Sequence, residues 1–495
     1  MAYSRVLFIF TALLFLPATP KSDSPQQGFI SMVISQKGLD LAKDILINQA
    51  ISSLTPLQLP SIQKSKKIPI VGSVHVVLSN ITIDRIDVIS SYVKPGSSGV
   101  AIVASGATAN LSMDWYYSYT TWVFVPIQVS DRGSAFIKVE GMEVGLTLGL
   151  ENQGGTLKLT PKECGCYVKS ISISLNGGAS WFYQGFVDAF KDQIRSAVEN
   201  TISKKIKEGT IKLDSLLQTL PREVPIDSVA SLNVTFVNEP SLGNSSIGVE
   251  INGLFTSKNN VSLPSHYRKS YQTSVFCKDR EKMLGISLDE LVFNSGASIY
   301  FDAGIMQWMV DKVPDQSLLN TASWKFLIPQ LYRKFPNDDM KLNISFTSPP
   351  VIRILPDKID ATICSDMTID VLDANEIVSV ACVSVVVRVS GSVDILNNNL
   401  AGTIDVDDFS LSLKWSQVGK FHMSLIQSLM WTLIKTVALP YANTRLRKGF
   451  PLPIISGFTL QSASITYVDS RVLICSDVVF KDEYNFEPLG LYNYW

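Results

Sequence analysis

Phe182, Phe186, Phe190, Ile194, Val198, Ile202 and Ile206 recur at a constant spacing of four in the stretch WFYQGFVDAFKDQIRSAVENTISKKIKEG, Trp181 to Gly209. Asp188, Lys191, Asp192, Arg195, Glu199 and Lys204 fall between them, so the pattern predicts an amphipathic helix. A row of strict i+4 positions drifts by about 40° per step, because the helix turns once per 3.6 residues. The apolar stripe therefore winds round the axis and requires a curved or strongly twisted partner. Lys204, Lys205 and Lys207 suit the last turn, and Gly209 reads as the stop.

The flanking sequence supplies that partner. From Ile68 to Leu159 the period changes to two, in runs such as VHVVLSNITIDRIDVIS, VAIVASGATANLSM, WVFVPIQV and SAFIKVEGMEVGLTLGL, broken at Pro95-Gly96, Asp131-Arg132-Gly133 and Gly154-Gly155. These read as an antiparallel meander, and a further strand, Tyr167 to Leu175, leads into the helix. Ahead of the meander, LDLAKDILINQAISSL carries Leu39, Ala42, Leu46 and Ala50 in one row and ends before Pro56. A sheet of this many strands curls, and two helices with wide apolar faces fill it. Leu217 to Asn233, with two prolines, reads as the linker.

The second half repeats the order. Strand-like runs at 247–255 and 285–293 precede a helix-like stretch, Ala297 to Val310, and then WKFLIPQLYRKFP. Alternation returns from Lys341 to Leu413, and FHMSLIQSLMWTLIKTVA, Phe421 to Ala438, takes the place of the first long helix. The duplication is one of element order, with almost no identity between halves. Two domains suit a chain of 495 residues, of which 46% are hydrophobic and 18% charged. A formal net charge of −1 excludes a general nucleic-acid binder.

Met1 to Leu16 has a basic residue at Arg5 and an apolar run too short to span a bilayer, which reads as a secretory signal. Sequons at Asn80, Asn110, Asn233, Asn244, Asn260 and Asn343 agree with that compartment as glycosylation sites. The cysteines are Cys164, Cys166, Cys277, Cys364, Cys382 and Cys475, too few for a disulfide-built scaffold. Cys364 and Cys382 lie on neighbouring predicted strands and could pair; the sequence leaves this open.

The chain resembles the family of bactericidal/permeability-increasing protein and lipopolysaccharide-binding protein. The resemblance rests on collinear stretches: ISQKGLDLA from Ile34, VEGM from Val139, LQTLP from Leu217, IDSVA from Ile226, FNSGA from Phe293, KFPN from Lys334, TSPP from Thr347 and KGFPLP from Lys448. It implies an α+β boomerang of two barrel-like domains, each a twisted antiparallel sheet wrapped round two helices, joined by a central sheet. The corresponding division is a signal at 1–22, barrels at 23–229 and 251–482, a linker and central sheet at 230–250 and an aromatic tail at 483–495. It also implies an apolar lipid pocket, lined here by Leu39, Leu46, Phe182, Phe186, Phe190, Ile194 and Val198, with bound phospholipid rather than a cofactor. From the residues alone, the same row equally serves a filled core.

In that family lipopolysaccharide is met at the tip of the amino-terminal barrel by basic loops. The first tip loop here, SIQKSKKIP, keeps Lys64, Lys66 and Lys67. The second departs, with Trp115, Tyr116, Tyr117, Tyr119 and Trp122 between Asp114 and Trp122 and no cation, and is in that respect more similar to the plant branch. These aromatics suit a lipid–water interface; packing beneath a neighbouring loop is the alternative. The family's disulfide to the end of the long helix has no counterpart, because Ser203 to Gly209 holds no cysteine. His75, His266 and His422 fall in no metal motif, and there is no G-x-S-x-G elbow or phosphate loop, so an enzyme is not expected. The expected function is secreted binding of lipopolysaccharide (lipid A) or a related glycolipid in innate defence, with transient membrane-surface contact. The alternative is a phospholipid carrier of the same fold.

Overall fold

The structure is a computed structural model and describes residues 27–68, 72–122, 124–176, 190–257, 277, 281–374, 376–420, 423–455 and 457–481. The signal stretch, Phe182, Phe186, Asn260, His266 and His422 lie outside these. Strand β1 (Ile30–Ser35) leads into helix α1 (Gln36–Leu54), whose first turn is capped by the Ser35 hydroxyl accepting from Gly38 N at 3.4 Å. Gly38 is needed there because a Cβ would meet the carbonyl oxygen of Met283 at 2.6 Å. The meander follows as β2 (Leu57–Gln58), β3 (Ile62–Ile68), β4 (Gly72–Asp87), β5 (Ser90–Gly96), β6 (Gly99–Trp122), β7 (Pro126–Gln153) and β8 (Thr156–Asn176). The sheet order is β2-β4-β6-β7-β8, with β3 on β4 and β5 on β6, all antiparallel.

Helix α2 (Lys191–Gln218) continues nine residues past the expected stop at Gly209. A glycine within a helix costs only about 1 kcal/mol, and the turns beyond it are held by Asp214, whose Oδ1 accepts from Leu159 N at 2.7 Å. Val168 N is likewise bound by Glu199 Oε1, at 2.8 Å. Strand β8 is the edge of the sheet, so α2 closes the barrel by satisfying strand N–H groups with its own carboxylates while Ile194, Val198 and Ile202 turn into the core.

The second half has the same plan. Helix α3 (Glu290–Asp302) starts before the expected helix at Ala297, and Gln307–Val310, read from sequence as its continuation, is an edge strand. Asp289 caps α3 through Leu291 N at 3.0 Å, ending the preceding strand at Leu284–Asp289 instead of running on to Phe293. The second sheet comprises Gln307–Val310, Met340–Phe346, Ile359–Asp373, Glu376–Leu396 and Asn399–Ser416 in that order, then Phe450–Pro451, with Val351–Ile354 paired to Ile359–Asp373 off this path. After the short helix α4 (Pro329–Lys334), the long helical stretch of this half is α5 (Met423–Leu433), a widened turn at Ile434–Ala438 and α6 (Leu439–Leu446). It runs through Pro440 to Leu446 because the π turn, with Leu439 N bonded to Ile434 O, absorbs the missing N–H of Pro440. Here too the helix serves a strand edge: Asn443 accepts from Ile404 N at 2.8 Å and donates to Ile404 O at 3.0 Å.

A six-stranded central sheet joins the halves, in the order Ser241–Leu242, Ser246–Ile251, β1, Leu284–Asp289, Arg471–Phe480, Phe458–Val468. The stretch read as a linker forms part of a separate three-stranded sheet, Phe255–Ser257, Ala230–Asn233 and Glu223–Pro225. Cys364 and Cys382 are both free, since Cys364 is registered with Val386 and Cys382 with Thr368, four rungs apart. The disulfide is Cys277–Cys475, fastening residue 277 to the central sheet.

Candidate functional site

At one end of the amino-terminal sheet two hairpins finish side by side, because β4 begins at Gly72 and Val74 is registered with Tyr119 of β6. The stretch from Asp114 to Trp122, read as a loop, is the end of β6 and alternates as a strand must. Trp115, Tyr117 and Tyr119 face inward as a ladder with ring centroids 6.1 and 6.3 Å apart and planes nearly parallel. Trp115 is buried, and its Nε1 donates to Ser134 O at 3.0 Å. Tyr116 faces outward and is exposed; Asp114, on the same face, accepts from Asn80 Nδ2 at 2.8 Å. The side chain of Trp122 lies outside the described residues.

The exposed apolar tip is the next few residues. Phe124 is 98% exposed, Val125 61% and Ile127 45%, where the β6–β7 hairpin turns. The run WVFVPIQV was read as a strand; its centre is the turn itself, and the proline that closes it was the available signal. Two strands away, Lys64 and Lys67 lie on β3 rather than in a loop, with Lys67 exposed and Lys64 Nζ 5.7 Å from the centre of the Phe190 ring. Lys66 is registered opposite Val74, and its side chain is outside the described residues.

Phe190, Ile194 and Val198 of the anticipated pocket gather with the aromatic ladder in one apolar cluster. Leu39 belongs to a different cluster, with Val93, Val100 and Ile247 near the central sheet. Leu46 is exposed, although Ile45, Ile47 and Ile51 beside it are half-buried. The arrangement is an apolar interior packed against α2, with exposed apolar groups at the β6–β7 turn and Lys67 exposed on β3 at the same end of the sheet. Ser65 Oγ and His75 Nδ1 are 2.6 Å apart across β3 and β4, exposed, and no group of three or more metal-ligating side chains occurs among the described residues.

A family model for the N-terminal domain of the LBP / BPI / CETP family matches residues 38–220, and one for its C-terminal domain matches 224–480. The chain belongs to the LBP/BPI/CETP family. A BPI/LBP family protein of Arabidopsis thaliana is 54% identical over 479 residues, covering 96% of this chain and 97% of the relative. The bactericidal permeability-increasing protein of Sebastes schlegelii is 26% identical, covering 91% and 95%. The crystal structure of a lipopolysaccharide binding protein superposes with a TM-score of 0.65 at 20% identity, over 92% of this chain and 99% of that one, and shares the fold.

In this LBP/BPI/CETP family chain Cys164 Sγ is 3.7 Å from the carbonyl oxygen of Ser203 on α2, so the strand and helix meet where a tether would lie, with a thiol on one side alone. Burial raises the Cys164 thiol; burial, with the Glu199 carboxylate and Cys164 adding to it, pushes Cys166 up to about 12. Cys166 packs against the apolar cluster of the barrel. Of the sequons, Asn80, Asn110, Asn244 and Asn343 are exposed. Asn233 is half-buried, its Oδ1 accepting from Thr235 N and Oγ1 at 3.0 and 2.7 Å.

Proposed function

We propose that this is a secreted, glycosylated lipid-binding protein that captures bacterial lipopolysaccharide, through lipid A or a related glycolipid, at the tip of its amino-terminal barrel in innate defence. The observation that carries the reading is the hairpin end: Phe124 is almost wholly in solvent at the β6–β7 turn, at the same end of the sheet as Lys66 and Lys67 of β3. Membership of the family, and relatives whose names include a lipopolysaccharide-binding protein, support it. Acyl chains would take the apolar interior lined by Tyr117, Tyr119, Phe190, Ile194 and Val198, at about 0.8 kcal/mol per methylene. Lys64, Lys66 and Lys67 would select the phosphorylated headgroup, at about 1 kcal/mol each. No helix among the described residues is long and apolar enough to cross a membrane, which accords with transient surface contact.

Binding of lipid A to the full chain tests the reading. Phe124→Ser should weaken it roughly tenfold or more, from the burial worth of one aromatic side chain, and Lys67→Ala by less. Unchanged binding in Phe124→Ser would sink the tip, and no binding by the unaltered protein would sink the ligand. A phospholipid carrier is the second reading. It is favoured by the second barrel, where Ile434, Val389 and Val406 form an apolar cluster flanked by half-buried Ile363, Ile404 and Leu439. Mass spectrometry of lipid extracted from the native protein, with vesicle transfer, separates the two.

A further inference from the structure

Along the sequence the last turns of α2 set Glu199, Glu208 and Asp214 against Lys204, Lys205, Lys207 and Lys212 and resemble a neutral, solvated helix. The fold draws Glu199 and Asp214 away to strand edges and leaves Glu208 on the lysine face, paired there with Lys205. Glu199 is bound to Val168 N, and Asp214 to Leu159 N and, through Oδ2, to Gln218 Nε2 at 3.0 Å. Glu208 is taken by Lys205 at 3.1 Å, and its carboxyl is held below the usual range by that bond and by the fields of Lys204 and Lys212. Three exposed lysines, Lys204, Lys207 and Lys212, remain facing solvent, with Ile211 among them 60% exposed. At 100° per residue the four fall within an arc of about 140°.

We propose that this stripe is a membrane contact separate from the tip, by which α2 seats side-on against an anionic phospholipid surface. The lysines would meet headgroups and Ile211 the apolar boundary beneath them. A lipid surface fits better than a soluble polyanion because an isoleucine among lysines gains nothing from a polyanion in water but gains burial at a headgroup layer. The stripe is not an extension of the tip: Phe190, under Lys64, begins the helix, and positions 204 to 212 lie about 21–33 Å further along at 1.5 Å per residue.

The test is sedimentation of the full chain with phosphatidylcholine vesicles with and without phosphatidylglycerol. Lys204→Gln combined with Lys207→Gln and Lys212→Gln should weaken binding to the anionic vesicles on the order of a hundredfold, leave binding to neutral vesicles unchanged and keep the circular dichroism of the parent. Ile211→Ser alone should weaken anionic binding roughly tenfold. Phe124→Ser, with the stripe intact, should keep the salt-dependent part, so loss of lipid A capture at the tip is read separately. Parent-like binding of the triple variant to anionic vesicles overturns the inference. So does Ile211→Ser without effect while dextran sulfate binds through the same lysines, which would make the stripe a plain polyanion site.

Discussion

Lys37 Nζ, in the first turn of the first helix, lies 3.0 Å from Asp477 Oδ1, in the last strand, 440 residues away. The other carboxylate oxygen takes Lys282 Nζ at 3.1 Å. One aspartate thus joins the start of the amino-terminal barrel to the central sheet, two residues from the Cys277–Cys475 disulfide.

Asp477→Asn should lower stability by about 1 kcal/mol, the scale of a partly exposed ion pair. The bond from Lys37, and then Lys282, holds the Asp477 carboxyl below the usual range. Its contribution is therefore present above about pH 4, the unfolded value, and is lost as pH falls through the lower folded value. Thermal unfolding followed from neutral to strongly acidic pH should show a smaller acid loss in Asp477→Asn than in the parent.

Glu199→Ala removes the acceptor for Val168 N on a strand edge that no other strand pairs with among the described residues. Leaving that N–H unbonded costs about 1–3 kcal/mol. Glu199→Gln keeps an acceptor and should recover most of the loss in denaturant titrations; equal losses in the two variants would show that the helix does not cap the edge.

Ser203→Cys should restore a tether between β8 and α2, since Cys164 Sγ already touches the Ser203 backbone. Closing the loop between residues 164 and 203 should add about 2–4 kcal/mol. Peptide mapping without reductant should find Cys164 linked to the thiol introduced at position 203, with Cys166 unmodified because it is Cys164 that lies against Ser203.

Trp115→Ala should cost about 3–5 kcal/mol of stability, as expected for a buried aromatic, whereas Tyr116→Ala on the outer face should change it by less than about 1 kcal/mol. The denaturation midpoints check the order. Equal effects would contradict the alternation of β6.

Much of the scaffold was legible because periodicity is local. The i+4 row located the face of α2 that reaches the core, the period-two runs located the meander, and the collinear family stretches implied the two-barrel plan. Boundaries were less legible where a distant partner decides them. Gly209 reads as a stop until Asp214 is seen bonded to Leu159, and Ala297 as a start until Asp289 is seen capping Leu291. In the candidate site, Phe190, Ile194 and Val198 were placed by their period. Phe124 was hidden inside a run that reads as strand, since which part of an apolar run becomes the turn is set by register with a neighbouring strand.

By itself the sequence determined that a long amphipathic helix follows an antiparallel meander and which faces of these elements are apolar, because these follow from the spacing of side chains within a few turns. The tertiary structure alone decided that Trp115 is covered and Phe124 is not, that Cys475 pairs with Cys277 across 198 residues, and that Glu199 and Asp214 of α2 serve strand edges while Lys204, Lys207 and Lys212 face water. Those outcomes depend on which backbone groups are left unpaired at the edge of a sheet once it has closed, and that is set by contacts between residues far apart in the chain.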